Sequence, residues 1–228
     1  MIPFYQDEYT TIYHGDSREI LPTLADIDSV ISDVPYGVDL DTNYKRFSGG
    51  ESTSASHKAI KGDSSAFDPS HLMKYRRVVL FGANNFTLPA GTFLVWDKRT
   101  PHGNKNVMAD AEIAWFNSGH GVYILNHAWD GFNRASEHGT KYHPAQKPVA
   151  LMQWVIGIVK PKGTVCDPYM GSGSALIAAR NLGYKAIGIE LDLNYCQITV
   201  DRLLATPLPF PMFDETKKED EKQLKMFD

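Results

Sequence analysis

Cysteine is scarce in this 228-residue chain: there are two, Cys166 and Cys196, each inside an apolar segment. That excludes the dense disulfide frame of a small secreted domain and suits two buried thiols in a reduced compartment. Long hydrophobic runs are missing as well. No stretch approaches the roughly 20 apolar residues that span a bilayer. The opening residues, MIPFYQDEYT, lack the basic start and apolar stretch of a signal peptide, so a cytoplasmic location is expected. The eight histidines are scattered, with no metal-ligand spacing, and no metal is expected. Positive charge is not in excess either. A net charge of -4 argues against a protein that merely coats nucleic acid. Local basic pairs do occur mid-chain, at Lys45-Arg46, Arg76-Arg77 and Lys98-Arg99, while acids gather toward the ends.

The chain is long enough for one sizeable core and too short for two full α/β domains. No internal repeat is visible. Strand and helix signals alternate instead. Short strands are expected at Thr11–His14, Asp28–Asp33, Arg77–Gly82, Thr92–Trp96, Ala111–Phe116, Gly121–Leu125, Thr164–Asp167 and Lys185–Glu190. Asn117–Gly121 reads as a hairpin-like link between two of them, which predicts antiparallel pairing at that end of the sheet. Ser17 is the expected cap of a helix reaching Leu24. Pro148 opens the clearest helix, with Met152, Val155, Ile156 and Val159 on one face, and Pro148 suits its first turn. Further helices are expected over about 174–182 and 193–204. This order predicts an α/β fold: a mostly parallel sheet with an antiparallel edge and helices on both faces. A single domain over 1–208 is expected, followed by a charged, disordered tail at 209–228.

Two turns carry chemistry. The first is Asp167-Pro-Tyr169-Met-Gly171-Ser172-Gly173-Ser174, between a strand and a helix. Its glycines allow close backbone approach to a ligand, and the free N–H groups at a helix start suit an anion or polar edge. Glu190 ends the next strand, somewhat short of the roughly 20-residue spacing of a dinucleotide fingerprint, and can accept both hydrogen bonds of a ribose diol. No Lys-Ser or Lys-Thr pair follows the glycines, against a phosphate-binding loop. Leu176 stands where a third glycine would sit, against a nicotinamide cofactor.

The second turn is Asp33-Val34-Pro35-Tyr36-Gly37, at the end of another strand. In an open α/β sheet ligands collect beyond the C-terminal strand ends. Asp33 and the Val34 carbonyl can accept the two hydrogens of an exocyclic NH₂, which pulls the nitrogen lone pair out of conjugation. Tyr36 offers a ring for base stacking, worth about 1–3 kcal/mol. Pro35 stiffens the turn.

These residues resemble the amino-methylating DNA methyltransferases (the N6-adenine/N4-cytosine family). That family carries an [Asp/Asn/Ser]-Pro-Pro-[Tyr/Phe/Trp] motif and a Phe-x-Gly-x-Gly motif, matched here by Asp33–Tyr36 and Tyr169–Gly173. The catalytic motif comes first in the chain, as in the permuted beta class. His143-Pro-Ala-Gln-Lys147-Pro148 is similar to that class's HPTQKP segment, and Gly15-Asp16-Ser17 to its Gly-Asp signature. The resemblance spans most of residues 10–200. It implies a Rossmann-like S-adenosylmethionine-dependent methyltransferase fold. Asp16, with Ser17 beside it, would bind the cofactor adenine, and Glu190 the ribose. Lys147 would pair with the methionine carboxylate, and the turn from Asp167 through Tyr169, Gly171, Ser172 and Gly173 to Ser174 would surround the methionine. The target base would be flipped out of the duplex toward Asp33 and Tyr36. Asp at the first motif position is associated in the family with adenine N6, Ser with cytosine N4. Val34 stands where the family usually has proline; it keeps the carbonyl and loses the fixed φ.

Target recognition is expected in segments 40–66, 98–108 and 129–142, with Tyr44, Phe47, Trp129 and Phe132 as stacking or wedge groups. So small a recognition region implies a homodimer embracing the DNA. The end of the chain, Gln223-Leu224-Lys-Met226-Phe227, is similar to peptides that dock into bacterial sliding clamps. Alternatives are a cytosine-N4 DNA or an RNA adenine methyltransferase. From another class comes an inactive nucleic-acid-binding subunit, supported by Val34 alone.

Overall fold

The structure, a computed structural model, describes residues 1–37, 67–100, 109–129, 134–137, 142 and 145–207. The expected loop at 40–66, the 101–108 part of the second recognition segment and the clamp-like Gln223, Leu224, Met226 and Phe227 lie outside the described residues; so do Tyr44, Phe47 and Phe132.

Among the described residues nine strands form one sheet. They are β1 (Tyr5–Gln6), β2 (Thr10–His14), β3 (Ile27–Ser32), β4 (Arg77–Phe81), β5 (Thr92–Asp97), β6 (Ala111–Phe116), β7 (Val122–Asn126), β8 (Thr164–Asp167) and β9 (Ala186–Glu190). The spatial order is β1-β2-β9-β8-β3-β4-β6-β5-β7. From β2 through β4 every pairing is parallel, and β6 runs antiparallel between β4 and β5. The expected hairpin of β6 with β7 does not form. Both edges of β6 are taken, so β7 crosses to the outer edge of β5 and pairs with it in parallel.

The central strands read as near-continuous apolar runs because both faces are covered. In β4, Val79 and Phe81 face one cluster while Val78 and Leu80 face the other. The first cluster packs under α2 (Val149–Val159), α3 (Ser174–Asn181) and α4 (Leu193–Ala205). Leu151, Met152, Val155, Ile156 and Val159 are buried along α2, so the predicted stripe is the packed face. The second face is covered more thinly, by α1 (Ser17–Ile20), the 3-10 turn Leu21–Thr23 and Leu72.

Two helix starts differ from expectation. Asp16, not Ser17, caps α1: its carboxylate accepts from the Arg18 N–H at 2.8 Å. Ser17 is instead a buried first-turn residue. Pro148 sits at the cap position of α2 rather than inside it and brings no side-chain acceptor. Glu137 supplies one from outside, taking the Val149 N–H at 2.7 Å.

Chain direction sets where ligands gather. From β8 the chain moves outward to β9, whereas from β3 it moves the other way to β4. The C-terminal ends of β8 and β3 are therefore adjacent and diverge, the geometry of a topological switch point. Asp167 ends β8, and Asp33 follows β3 directly.

Candidate active site

The Asp33–Tyr36 turn leaves β3 with its second residue pointing into the protein. Val34 is buried in the second cluster, together with Ile20, Val30 and Leu80. Side-chain burial anchors the turn where a proline ring would have fixed φ.

Both oxygens of Asp33 are engaged. Oδ1 accepts from the Tyr36 hydroxyl at 2.5 Å, and Oδ2 accepts from Lys147 Nζ at 2.6 Å. The Tyr36 ring lies against Gly82, the residue after β4. A Cβ there would come within 2.2 Å of the ring, and φ at Gly82 is +73°. Phe86 meets Tyr36 edge-on, with centroids 6.3 Å apart. Burial raises the Asp33 pKa above the usual carboxylate value, a shift that outweighs the opposing pull of Lys147. Burial also raises the Tyr36 hydroxyl well above its ordinary value, with the Asp33 charge adding to the shift.

Lys147 is held by two carboxylates of the chain. Sequence resemblance puts it at the cofactor carboxylate. Here its ammonium is buried between two carboxylates, 2.6 Å from Asp33 Oδ2 and 3.1 Å from Glu112 Oε2. Burial alone would lower its pKa; Asp33 and Glu112 outweigh that and hold it well above the ordinary lysine value. Glu112, on β6, is held in turn by Lys98, at 3.0 Å. Lys98 is thus an interior charge rather than a nucleic-acid contact. Trp129 is likewise not an exposed wedge: it is buried in the first cluster, edge-on to Trp96, and Arg134 lies over its ring at 4.9 Å. Of the other basic pairs, Arg77 is bound to Asp28 at 2.7 Å.

On the neighbouring strand end, Gly171 and Gly173 have φ of +51° and +79°. The Gly173 requirement comes from packing as well as from ligand approach, since a Cβ there would lie 2.3 Å from Thr199 of α4. Glu190 braces the turn: Oε2 accepts from the Gly171 N–H at 2.9 Å and Oε1 from the Asp192 N–H at 2.8 Å. Burial raises its pKa. Asp167 is buried, accepting from the Ser32 hydroxyl at 2.6 Å and the Tyr169 N–H at 3.1 Å. The Tyr169 hydroxyl meets His71 Nε2 at 3.2 Å, and its ring packs edge-on to Phe67.

The hydroxyls of Ser172 and Ser174 face Arg202 of α4, at 3.2 and 3.4 Å from its Nη1, which also donates to the Ser172 carbonyl. Arg202 Nη2 reaches Glu137 Oε1 at 2.8 Å. One guanidinium therefore ties the glycine turn to the residue that caps α2, and α2 begins two residues after Lys147.

The structure brings Asp33, Val34, Pro35, Tyr36 and Lys147 together at the end of β3. The turn from Asp167 to Ser174 and Glu190 lie beside them, and Asp16 and Ser17 follow β2, which pairs with β9. The sequence alone does not mark Glu112, Ser32, Gly82, Glu137 or Arg202 as site residues, and it marks Lys98 only as part of a basic pair and a recognition segment. Alternation in β6 already marks Glu112 as a charge within an apolar strand, AEIAWF. The other five carry no local signal that separates them from surface or turn residues.

An open sheet with a glycine turn at one side of its switch point and an Asp-x-Pro-Tyr turn at the other has the Rossmann-like fold of S-adenosylmethionine-dependent methyltransferases. Comparison with known proteins agrees. A family described as DNA methylase (N6_N4_Mtase) matches residues 118–201. The type II methyltransferase M2.LlaDCHI of Lactococcus lactis is 25% identical over 257 residues, covering 88% of this chain and 91% of that protein. M.HindIII of Haemophilus influenzae is 40% identical over 80 residues, which span 35% of this chain and 26% of that enzyme. Among solved structures, the cytosine-N4-specific PvuII DNA methyltransferase shares the fold, with a TM-score of 0.55 and 17% identity over 95% of this chain and 93% of that one. The chain is thus similar in sequence to DNA methylases of the N6/N4 kind over residues 118–201 and shares the methyltransferase fold, and the resemblance implies S-adenosylmethionine as the cofactor.

The residues present fit that cofactor. Glu190 and Asp16 offer carboxylates at the ends of adjacent strands, suited to a ribose diol and an amine. The Ser17 side chain is buried at the start of α1. It lines an open cleft of about 290 Å³, together with Arg18, Asp68 and His71.

Proposed function

We propose that this enzyme methylates the N6 amino group of adenine in DNA. The observation that carries the reading is Asp33: a carboxylate at the end of β3, one side chain removed from the cofactor turn through the Ser32–Asp167 hydrogen bond. Asp at the first position of the motif favours adenine over cytosine.

When bound, S-adenosylmethionine supplies an electrophilic sulfonium methyl. Asp16 and Ser17 would hold its adenine, Glu190 its ribose, and Asp167, Tyr169, Gly171, Ser172, Gly173 and Ser174 its methionine portion. The chain's own work is to present the amine. Asp33 accepts one N–H of the flipped base and the Val34 carbonyl accepts the other, so the nitrogen lone pair turns out of the ring plane. One face of Tyr36 rests on Gly82; the base stacks on the other. Pro35 keeps the turn stiff. Positioning of this kind supplies about 7–11 kcal/mol in well-oriented reactions. Asp33 also stands ready to take the proton that the methylated nitrogen sheds.

A labelled-methyl assay on DNA and RNA side by side, followed by digestion to nucleosides, tests this. N6-methyladenine from DNA is the expected product. N4-methylcytosine alone, or label confined to RNA, overturns the adenine-in-DNA reading. Cofactor binding by calorimetry without any turnover would mark an inactive partner subunit.

A further inference from the structure

Four charged side chains form a line beneath the catalytic turn. Asp33 Oδ2 to Lys147 Nζ is 2.6 Å, Lys147 Nζ to Glu112 Oε2 is 3.1 Å, and Glu112 Oε1 to Lys98 Nζ is 3.0 Å. The charges alternate and sum to zero. The two lysines are nearly sealed, with 5% of each side chain exposed. Asp33 comes from the end of β3, Glu112 from β6, Lys98 from just beyond β5, and Lys147 from the residues before α2. Nothing in the chemistry proposed above uses Glu112 or Lys98.

The line matters because both Asp33 oxygens are already engaged. Tyr36 holds one of its oxygens and Lys147 the other. A target amine that approaches Oδ2 competes with the Lys147 ammonium for that oxygen. A buried ammonium released from its only carboxylate would be left unpaired, at a cost of several kcal/mol. Lys147 has a second carboxylate within reach. We propose that Glu112 is a positioning residue: it holds Lys147 when Asp33 turns to the target amine, and Lys98 keeps Glu112 ionised and in place. Lys147 thereby moves its weight between two acceptors without losing its charge or crossing the pocket.

This inference rests on the assignment of Asp33 as the acceptor of the target amine, and it makes a separate claim. Replacing Glu112 by Gln removes the second acceptor. Lys147 then binds Asp33 alone, which ties up the oxygen the amine needs. It also removes one of two negative charges near Asp33. The groups facing Asp33 are Lys147, Tyr36 and Glu112, with Asp167 on the adjacent strand. With Glu112 neutral, the balance around Asp33 becomes more positive and its carboxyl ionises at lower pH.

The test uses the full chain with Glu112→Gln, Glu112→Asp, Lys147→Met and the double variant Glu112→Gln/Lys147→Met, each checked for folding by circular dichroism. Carbon-13 NMR of the free protein reads the Asp33 titration directly and needs no activity. Glu112→Gln is expected to lower its midpoint, and Glu112→Asp to leave it close to wild type. An unmoved midpoint in Glu112→Gln overturns the proposal. In turnover on DNA, Glu112→Gln is expected to lower kcat by about 10-fold to 100-fold, in the range of coupled neighbouring residues. Glu112→Asp should recover most of that rate. In the Lys147→Met background the Glu112→Gln change should cost little more; fully additive losses overturn the proposal. If wild type methylates neither DNA nor RNA, the adenine assignment fails, and the titration alone decides the case of Glu112.

Discussion

The Ser32 hydroxyl donates to Asp167 Oδ1 at 2.6 Å, joining the strand that ends in the catalytic turn to the strand that ends in the cofactor turn. Ser32 is followed directly by Asp33, and Asp167 by the Pro168–Ser174 turn. A shift of either strand end is thus felt at both sites.

Burial pushes the Asp167 carboxyl up to about 7. Its value in the unfolded chain is that of an ordinary carboxylate. Between those values the folded protein holds a proton there that the unfolded chain has lost. The stabilisation from this group is complete at low pH and fades as pH rises toward the folded value. Asp167→Asn cannot titrate, so its Tm should gain on wild type from about pH 4 to about pH 7 and level off above that. Thermal melts of the two proteins at constant ionic strength check this; a difference in Tm that does not change with pH refutes it.

Asp33 must be ionised to accept from an amine, so the rate should fall as pH drops through its raised pKa. The Tyr36 hydroxyl donates to Asp33 and favours the ionised form. Tyr36→Phe should therefore move the acid limb of the kcat profile to higher pH, opposite in sign to Glu112→Gln. Steady-state rates across the pH range distinguish the two.

Gly82 carries no chemistry, yet its α-carbon is the floor under Tyr36. Gly82→Ala forces a side chain into the left-handed region, at about 1–2 kcal/mol, and displaces the Tyr36 ring. A loss of kcat on DNA larger than the loss of stability explains is expected, with cofactor affinity by calorimetry nearly unchanged. Wild-type kcat in this variant would show that the ring contact is dispensable.

Glu137 accepts from Arg202, from Gln146 and from the Val149 N–H. Glu137→Ala removes the cap of α2 and leaves Arg202 without its carboxylate. A loss of about 2 kcal/mol in urea denaturation is expected, within the range of cap deletions and charged hydrogen bonds. Cofactor affinity should fall as well, because Arg202 is the strut behind Ser172 and Ser174. A variant with wild-type stability and affinity would dismiss the strut.

Much of the fold follows from local pattern. Apolar runs bounded by turns mark the strands, and the stripe of Met152, Val155, Ile156 and Val159 marks α2, because burial on one side imposes its period on the residues. The two ligand turns are also legible, since Asp167–Ser174 and Asp33–Tyr36 combine residue types that only a backbone approach or a base amine requires. Pairing between distant strands is not local. Nothing in Asn117–Gly121 says that β6 already has two neighbours, so local signals place β7 beside it, whereas it lies beyond β5.

The same division holds at Asp33-Val34-Pro35-Tyr36. The amino-acid sequence by itself determined a carboxylate, a carbonyl and an aromatic ring on one turn at the end of a strand. Only the tertiary structure decided what surrounds them: the buried Val34 that anchors the turn, Gly82 beneath the ring, and Lys147 shared between Asp33 and Glu112. Those partners come from four separate elements, and a charge in a strand or a glycine after one acquires its meaning from what packing brings within about 3 Å of it.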